Sequence, residues 1–422
     1  MIKFIDLFAG VGGLRLAFEQ AMADLGATTK CVLASEIDTR AQETYRLNYG
    51  ETPEGDIRNI TNIPSFDFLL AGFPCQPFSY AGKQKGFGDT RGTLFFELER
   101  ILRDYRPKGF LLENVRGLTS HDKGRTFKAI LSHLEALGYG VTALLLNSSL
   151  FGVPQNRVRV YILGLDNREA RTSLRSNLGA ADSHRYKREF VQSNLFISNK
   201  SNTVVSILEE NPDKKYDCSA EFRNQLCRIF NGNLSKLHGY RLIDYRNGRS
   251  IHSWELGTKG KCTQDEIEFM DALIANRRRK IFGEHQDGKR LSLSDISTFF
   301  NHPQISKIIC SLIQKGYLSE LDGKYNPVAG NMSFEVFKFL DPHSIAITLV
   351  TSDAHKLGVY HRDRVRHITP RECARLQGFP DNFRLHPNDT HAYRQMGNSV
   401  SVPVVREILV DLFHNSDVSN IL

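Results

Sequence analysis

Ile2-Lys3-Phe4-Ile5-Asp6-Leu7-Phe8-Ala9-Gly10-Val11-Gly12-Gly13-Leu14 stands at the start of the chain. Ile2–Phe8 is an apolar run suited to a buried strand, and from about Gly13 to Leu25 the apolar residues recur with the period of an amphipathic helix. The glycine turn between them lets the backbone approach a ligand and turns the first helix amides toward it. The same unit recurs along the chain. Strands predicted over Lys30–Ser35, Phe66–Ala71, Gly109–Glu113, Gly140–Leu146 and Arg159–Leu165 alternate with helices predicted over Thr39–Asn48, Thr93–Asp104 and Thr126–Leu137. The alternation predicts an α/β fold with a mostly parallel sheet, covered by helices and binding ligands at the carboxyl ends of its strands.

After about Asn167 the sequence becomes polar and less periodic, which places a domain boundary near 168/169. Inside the second region, Leu291–Phe300 and Pro303–Lys315 read as two helices joined by a turn. Gly316–Tyr325 comes next as a hairpin marked by Asp322-Gly323. Helix, helix, hairpin predicts a small winged-helix-like insert over about 290–326.

The chain has 422 residues, 41% of them hydrophobic, enough for a full core and for two domains. Its seven cysteines form no close CxxC pair and no metal-ligand spacing with histidine, and Met1-Ile2-Lys3-Phe4 already begins a strand. Free thiols in a reducing cytoplasm, no metal and no membrane span are expected. The net charge of +8 is uneven: residues 151–300 carry 25 Lys+Arg against 18 Asp+Glu, whereas residues 1–150 are balanced at 17 each. A localised basic segment suits a polyanion, and nucleic acid is the natural candidate.

Chemistry enters at the strand ends. Arg15 stands where a dinucleotide fingerprint would carry its third glycine, which argues against hydride transfer. Glu36, closing the second strand, is placed to accept hydrogen bonds from ribose hydroxyls, and Gly55-Asp56-Ile57 forms a further loop that could meet an adenine. Together they favour an adenosine-bearing ligand. After the third strand, Gly72-Phe73-Pro74-Cys75-Gln76-Pro77-Phe78-Ser79 holds one thiol between two prolines in a stiffened loop. Such a thiolate is a candidate nucleophile.

Taken in order, Asp6–Leu14, Glu36, Asp56, Gly72–Ser79, Gly92–Glu97, Glu113-Asn114-Val115, Gln155–Arg159, Arg371–Pro380 and Gly397–Val400 resemble the motifs of DNA cytosine-5 methyltransferases of the bacterial restriction-modification type. The resemblance covers residues 1–165 and 365–405. It implies a Rossmann-like S-adenosylmethionine-dependent methyltransferase domain, discontinuous over 1–168 and 390–422, with a variable target-recognition domain over 169–389. It implies Cys75 as the nucleophile that adds to carbon 6 of cytosine and Glu113 as the acid at N3 and the exocyclic amine. Arg157 and Arg159 would hold the base oxygen, and Asn114 would shape the loop beside the acid. For the cofactor it implies Phe8, Gly10, Gly12, Glu36, Ile37, Asp56, Ile57, Pro74, Leu94, Asn398 and Val400, with S-adenosylhomocysteine as product.

The target cytosine must leave the duplex stack to be reached, and Ala81–Gly92 matches the loop that closes over DNA in relatives. Thr348 matches a backbone contact of the recognition domain, and Arg277-Arg278-Arg279-Lys280 would touch phosphate or face solvent. Double-stranded DNA is the implied partner of a bacterial monomer paired in function with a restriction endonuclease. A tRNA cytosine-5 methyltransferase has the same motifs but needs a smaller variable region. A catalytically silent DNA-binding regulator would not need Cys75, Glu113 and Arg159 intact.

Overall fold

A computed structural model describes residues 1–74, 93–174, 203–242, 251–283, 290–328 and 334–416. Strands β1 (Ile2–Leu7), β2 (Thr29–Ser35), β3 (Phe68–Ala71), β4 (Gly109–Val115), β5 (Tyr139–Asn147) and β6 (Val158–Asp166) form one sheet in the order β2-β1-β3-β4-β6-β5. β1 pairs in parallel with β2 and β3, and β3 with β4. β6 runs antiparallel to both β4 and β5. The linker 148–157 is too short for the crossover that a parallel neighbour requires, so the sheet reverses there. Helices α1 (Gly13–Asp24), α2 (Thr39–Tyr49), α3 (Thr93–Tyr105) and α4 (Arg125–Ala136) fall where the periodicity predicts them.

The chain separates into two compact units, one being Glu210–His343 with His355–Thr369. This unit contains α5 (Ala220–Ile229), α6 (Ser253–Leu256), α7 (Gln264–Asn276), β7 (Leu291–Ser292), α8 (Leu293–Ile296), α9 (Ile305–Gln314), β8 (Leu318–Leu321) and β9 (Lys324–Pro327). β10 (Lys338–Leu340), β11 (Leu357–His361) and β12 (Arg364–His367) form a separate three-stranded sheet. Among its described residues the unit has two apolar cores. One gathers Phe222, Leu226, Val336, Phe339 and Val365, and the other Trp254, Phe269, Leu273, Ile296, Ile309, Leu312 and Tyr317. The helix predicted from Leu291 begins later, because Leu291 pairs with Tyr325 and Ser292 caps α8 through Asp295. The hairpin turn is as expected: Asp322 and Gly323 have φ of 53° and 68°, the left-handed pair a tight hairpin needs.

The other unit is Met1–Glu209, Ser344–Ala354 and Pro370–Leu422, and it includes α10 (Pro370–Leu376), α11 (Asp389–Asn398) and α12 (Val402–Asn415). Its limits differ from the predicted 168/169 and 389/390. Residues 344–354 belong to it because Ala346 N donates to the Pro154 carbonyl and Asn156 N to the Ala346 carbonyl, both at 2.8 Å. α10 belongs to it because Gln155 Nε2 donates to the Leu376 carbonyl at 2.8 Å. Period-2 alternation gives each strand two apolar faces. On one, Phe4, Phe18, Phe68 and Phe413 stack in series at 4.7, 5.3 and 5.7 Å, joining β1, α1, β3 and α12. On the other, Ile5, Leu7, Leu69 and Leu112 meet Leu98, Ile101, Ile130 and Leu134 of α3 and α4. Among the described residues no helix is long and apolar enough to cross a membrane.

Candidate active site

A cavity of about 520 Å³ opens at the carboxyl ends of β1 to β4. Its wall is assembled from the turn after β1, the loop after β2, Gly72-Phe73-Pro74 after β3, the end of β4, Arg157 and Arg159, and the returning segments 350–351 and 394–400. All belong to the unit containing the six-stranded sheet.

At one end the glycine turn and Glu36 are a single construction. Phe8 and Gly10 take φ of 55° and 56°, which lifts the turn off the strand. Gly10 N donates to Glu36 Oε2 at 2.7 Å, and Asp38 N to Glu36 Oε1 at 2.8 Å. A carboxylate has about four acceptor positions, so Glu36 keeps capacity for a diol. Ile37, 73% exposed, presents a bare apolar side chain at the rim, and a Cβ added at Gly10 would meet nothing within 4 Å. An anionic acceptor, an apolar rim and open backbone fit a nucleoside-bearing cofactor. Asn398 accepts from Thr351 Oγ1, and Val400 packs so closely on α1 that a Cβ at Gly13 would stand 3.0 Å from its Cγ2.

Four residues predicted for the cofactor lie off the cavity wall. Gly12 caps α1 and fits beneath Tyr49, whose hydroxyl donates to its carbonyl at 2.7 Å. Asp56 caps the turn Ile57–Asn59 and pairs with Arg58. Ile57 is buried in the core, and Leu94 packs against it. The glycine, the acid and the apolar side chains are each committed to local structure.

The other end of the cavity carries the acid. Glu113, buried on β4, receives Arg159 Nε at 3.2 Å. Burial pushes its carboxyl above the ordinary range, while Arg159 and then Arg157 pull it back. Arg157 serves differently from Arg159. It is buried, its Nη1 donates to the Leu349 carbonyl at 2.9 Å and its Nη2 to the Ser399 carbonyl at 2.6 Å. Desolvation, then the nearby Arg159 charge, lowers its pKa to about 10. It ties β6 to both returning segments. Asn114 Nδ2 donates to the Phe73 carbonyl at 2.9 Å, fixing the chain just before Pro74. Cys75 and the loop 81–92 lie outside the described residues; Pro74, the residue before the thiol, lines the cavity.

Other expectations change. Thr348 belongs to the unit of the six-stranded sheet and donates to the Asn156 carbonyl. Arg277 is buried and donates to Asn326 Oδ1, so it is a scaffold residue instead of a phosphate contact. Val350, Thr351 and Arg394 line the cavity without having been foreseen. Arg394 was within reach of sequence reasoning, since it stands one helical turn before Asn398 on α11. Thr351 carries no such signal.

Residues 2–414 match the family described as C-5 cytosine-specific DNA methylase. The chain is 66% identical over 420 residues to Type II methyltransferase M.HgiCI of Herpetosiphon aurantiacus, covering 100% of both sequences. It is 66% identical over 415 residues to Type II methyltransferase M.BanI of Aneurinibacillus aneurinilyticus, covering 98% of this chain and 96% of that one. In fold it is similar to the crystal structure of S. pombe Dnmt2 methyltransferase, with a TM-score of 0.57 at 17% identity over 98% and 99% of the two chains. The chain therefore belongs to the C-5 cytosine-specific DNA methylases: it is a DNA cytosine-5 methyltransferase of the restriction-modification type that uses S-adenosylmethionine.

Proposed function

We propose that the chain methylates carbon 5 of a cytosine swung out of duplex DNA, through a transient bond from Cys75 to carbon 6. The observation that carries this reading is the occupancy of one cavity wall by Glu36, Glu113 and Pro74, the neighbour of the thiol. S-adenosylmethionine supplies the electrophilic methyl group. Phe8, Gly10, Glu36, Ile37, Pro74, Asn398 and Val400 hold it, with Glu36 at the ribose hydroxyls; Gly12, Asp56, Ile57 and Leu94 support these loops from behind.

Carbon 5 of a neutral cytosine is a poor nucleophile. Addition of the Cys75 thiolate breaks the 5,6 double bond and sends an electron pair into the ring, where Glu113 delivers its proton to N3. The resulting enamine makes carbon 5 reactive. After methylation a base removes the carbon 5 proton, the electron pair of that bond restores the 5,6 double bond and expels the Cys75 thiolate, and N3 returns its proton to Glu113. Arg159 orients Glu113 and faces the base oxygen, and Arg157 positions the strand that presents Arg159.

Removing the acceptor at the ribose tests the cofactor half. Glu36→Ala is expected to weaken S-adenosylhomocysteine binding about 10- to 100-fold, the scale of a hydrogen bond to a charged group, with DNA affinity unchanged. Calorimetry and duplex binding read the two separately; equal cofactor affinity in the variant would reject the assignment.

The unit Glu210–Thr369 outside 344–354 serves as the target-recognition part, reading base edges while the cavity unit does the chemistry. Because 66% identity to M.HgiCI and M.BanI extends over 98% or more of this chain, the recognised sequence is the one those relatives modify. Bisulfite sequencing of host DNA after expression is expected to show conversion-resistant cytosines in one short motif shared with both relatives; a different motif refutes the shared target. The enzyme acts as a monomer in the bacterial cytoplasm, shielding DNA from a partner endonuclease.

A further inference from the structure

We infer that residues 264–283 and 290–328 form a winged helix whose third helix, α9, enters the major groove and reads the target, with Lys307, Cys310 and Gln314 as its DNA-facing stripe. The inference rests on the target-recognition reading of this unit and deepens it. The order helix α7, strand β7, helices α8 and α9, hairpin β8–β9, with the sheet arranged β7-β9-β8 and both pairings antiparallel, is that of a winged helix. It has its own apolar core, separate from the one around β10 to β12. A helix-turn-helix arrangement of this kind places its last helix in the groove.

The side chains of α9 divide as that role demands. Ile308, Ile309 and Leu312 are buried in the core, while Lys307, Cys310 and Gln314, at i, i+3 and i+7, are exposed on one stripe. Ile305–Gln314 contains no carboxylate, so nothing on the helix repels phosphate. Lys suits guanine O6 and N7, and Gln suits adenine N6 and N7. The adjacent Lys315 is committed to Glu266 at 2.7 Å and holds α9 against α7. The wing tip carries Glu320 and Asp322 beside Lys324. It has no cationic surplus, so the base contacts fall to the helix.

The test reads two signals in the full-length enzyme with S-adenosylhomocysteine and a duplex containing the motif found by bisulfite sequencing. Alkylation of Cys310, read by peptide mass spectrometry, is expected to slow at least about tenfold when cognate duplex is added, and less with a scrambled duplex. Lys307→Ala and Gln314→Ala are each expected to lower kcat/KM on the cognate site about 5- to 150-fold, the scale of one base contact, with the unfolding midpoint unchanged. Equal Cys310 reactivity in the free and DNA-saturated protein overturns the inference. Deuterium exchange on the same samples separates the two levels. Protection of α9 supports the proposal. Protection in this unit confined to 210–242 or to β10 to β12 overturns the α9 assignment and keeps the target-recognition reading; no protection anywhere in the unit overturns both.

Discussion

Cys75→Ser is expected to lower methyl transfer to duplex DNA by roughly 10³-fold or more, the scale seen when a covalent nucleophile is lost. A serine hydroxyl ionises far above neutral pH, whereas a thiol in a suitable loop is partly thiolate and intrinsically the better nucleophile. Two measurements bear on it. Tritium transfer from labelled cofactor gives the rate. A duplex carrying 5-fluorocytosine at the target should give a band that survives denaturing electrophoresis, because fluorine cannot leave as a cation and the sulfur stays attached. The serine variant should form no such band. Turnover near that of the parent would rule out the covalent route while leaving the cofactor site intact.

Glu113→Gln is expected to cost about 10²- to 10⁴-fold in kcat, the usual range for loss of a positioned acid. Its pH dependence gives the assignment a sign. Burial raises the carboxyl and the two arginines only partly offset this, so the proton donor is present at lower pH and is lost as pH rises through the folded-state value. The parent's rate should fall along that limb, and the residual rate of the glutamine variant should not. The same shift acts on stability. Between the unfolded and folded values the native state holds the extra proton, so Glu113 contributes stability that fades with increasing pH. Glutamine should flatten that dependence in a urea titration series. A parent profile that is level across the range would remove Glu113 from the role of donor.

Strand and helix positions in the first 166 residues were legible because each element has a single period and ends at a glycine, proline or polar break. Phe68–Ala71 and Arg125–Ala136 differ from expectation by one or two residues, the scatter expected at ends. The reversal of β6 was not legible from apolar runs, which look alike in either direction; only the linker length contains it. Residues 344–354 were misassigned because their partners, Pro154 to Asn156, are nearly two hundred positions away and leave no local trace. The site divides the same way. Glu36 could be read from its position at a strand end and Glu113 and Arg159 only from the family resemblance, whereas the distinct duties of Arg157 and Arg159 arise from carbonyls brought in by Leu349 and Ser399. At Asp56 the pairing with the nearby Arg58 was likewise not legible from strand-end position alone.

α12 closes the aromatic series on α1 and β3 through Phe413, 409 positions after Phe4 of β1. At typical rates of about 5–20 residues per second, the first strands therefore wait on the order of 20–80 s for their covering layer to leave the ribosome. Until then Phe18 and Phe68 lack it, and a nascent chain has no complete binding chamber. Translation that stops before α11 would leave the cavity without the part of its wall that residues 394–400 supply, so methyl transfer begins only once those segments are made.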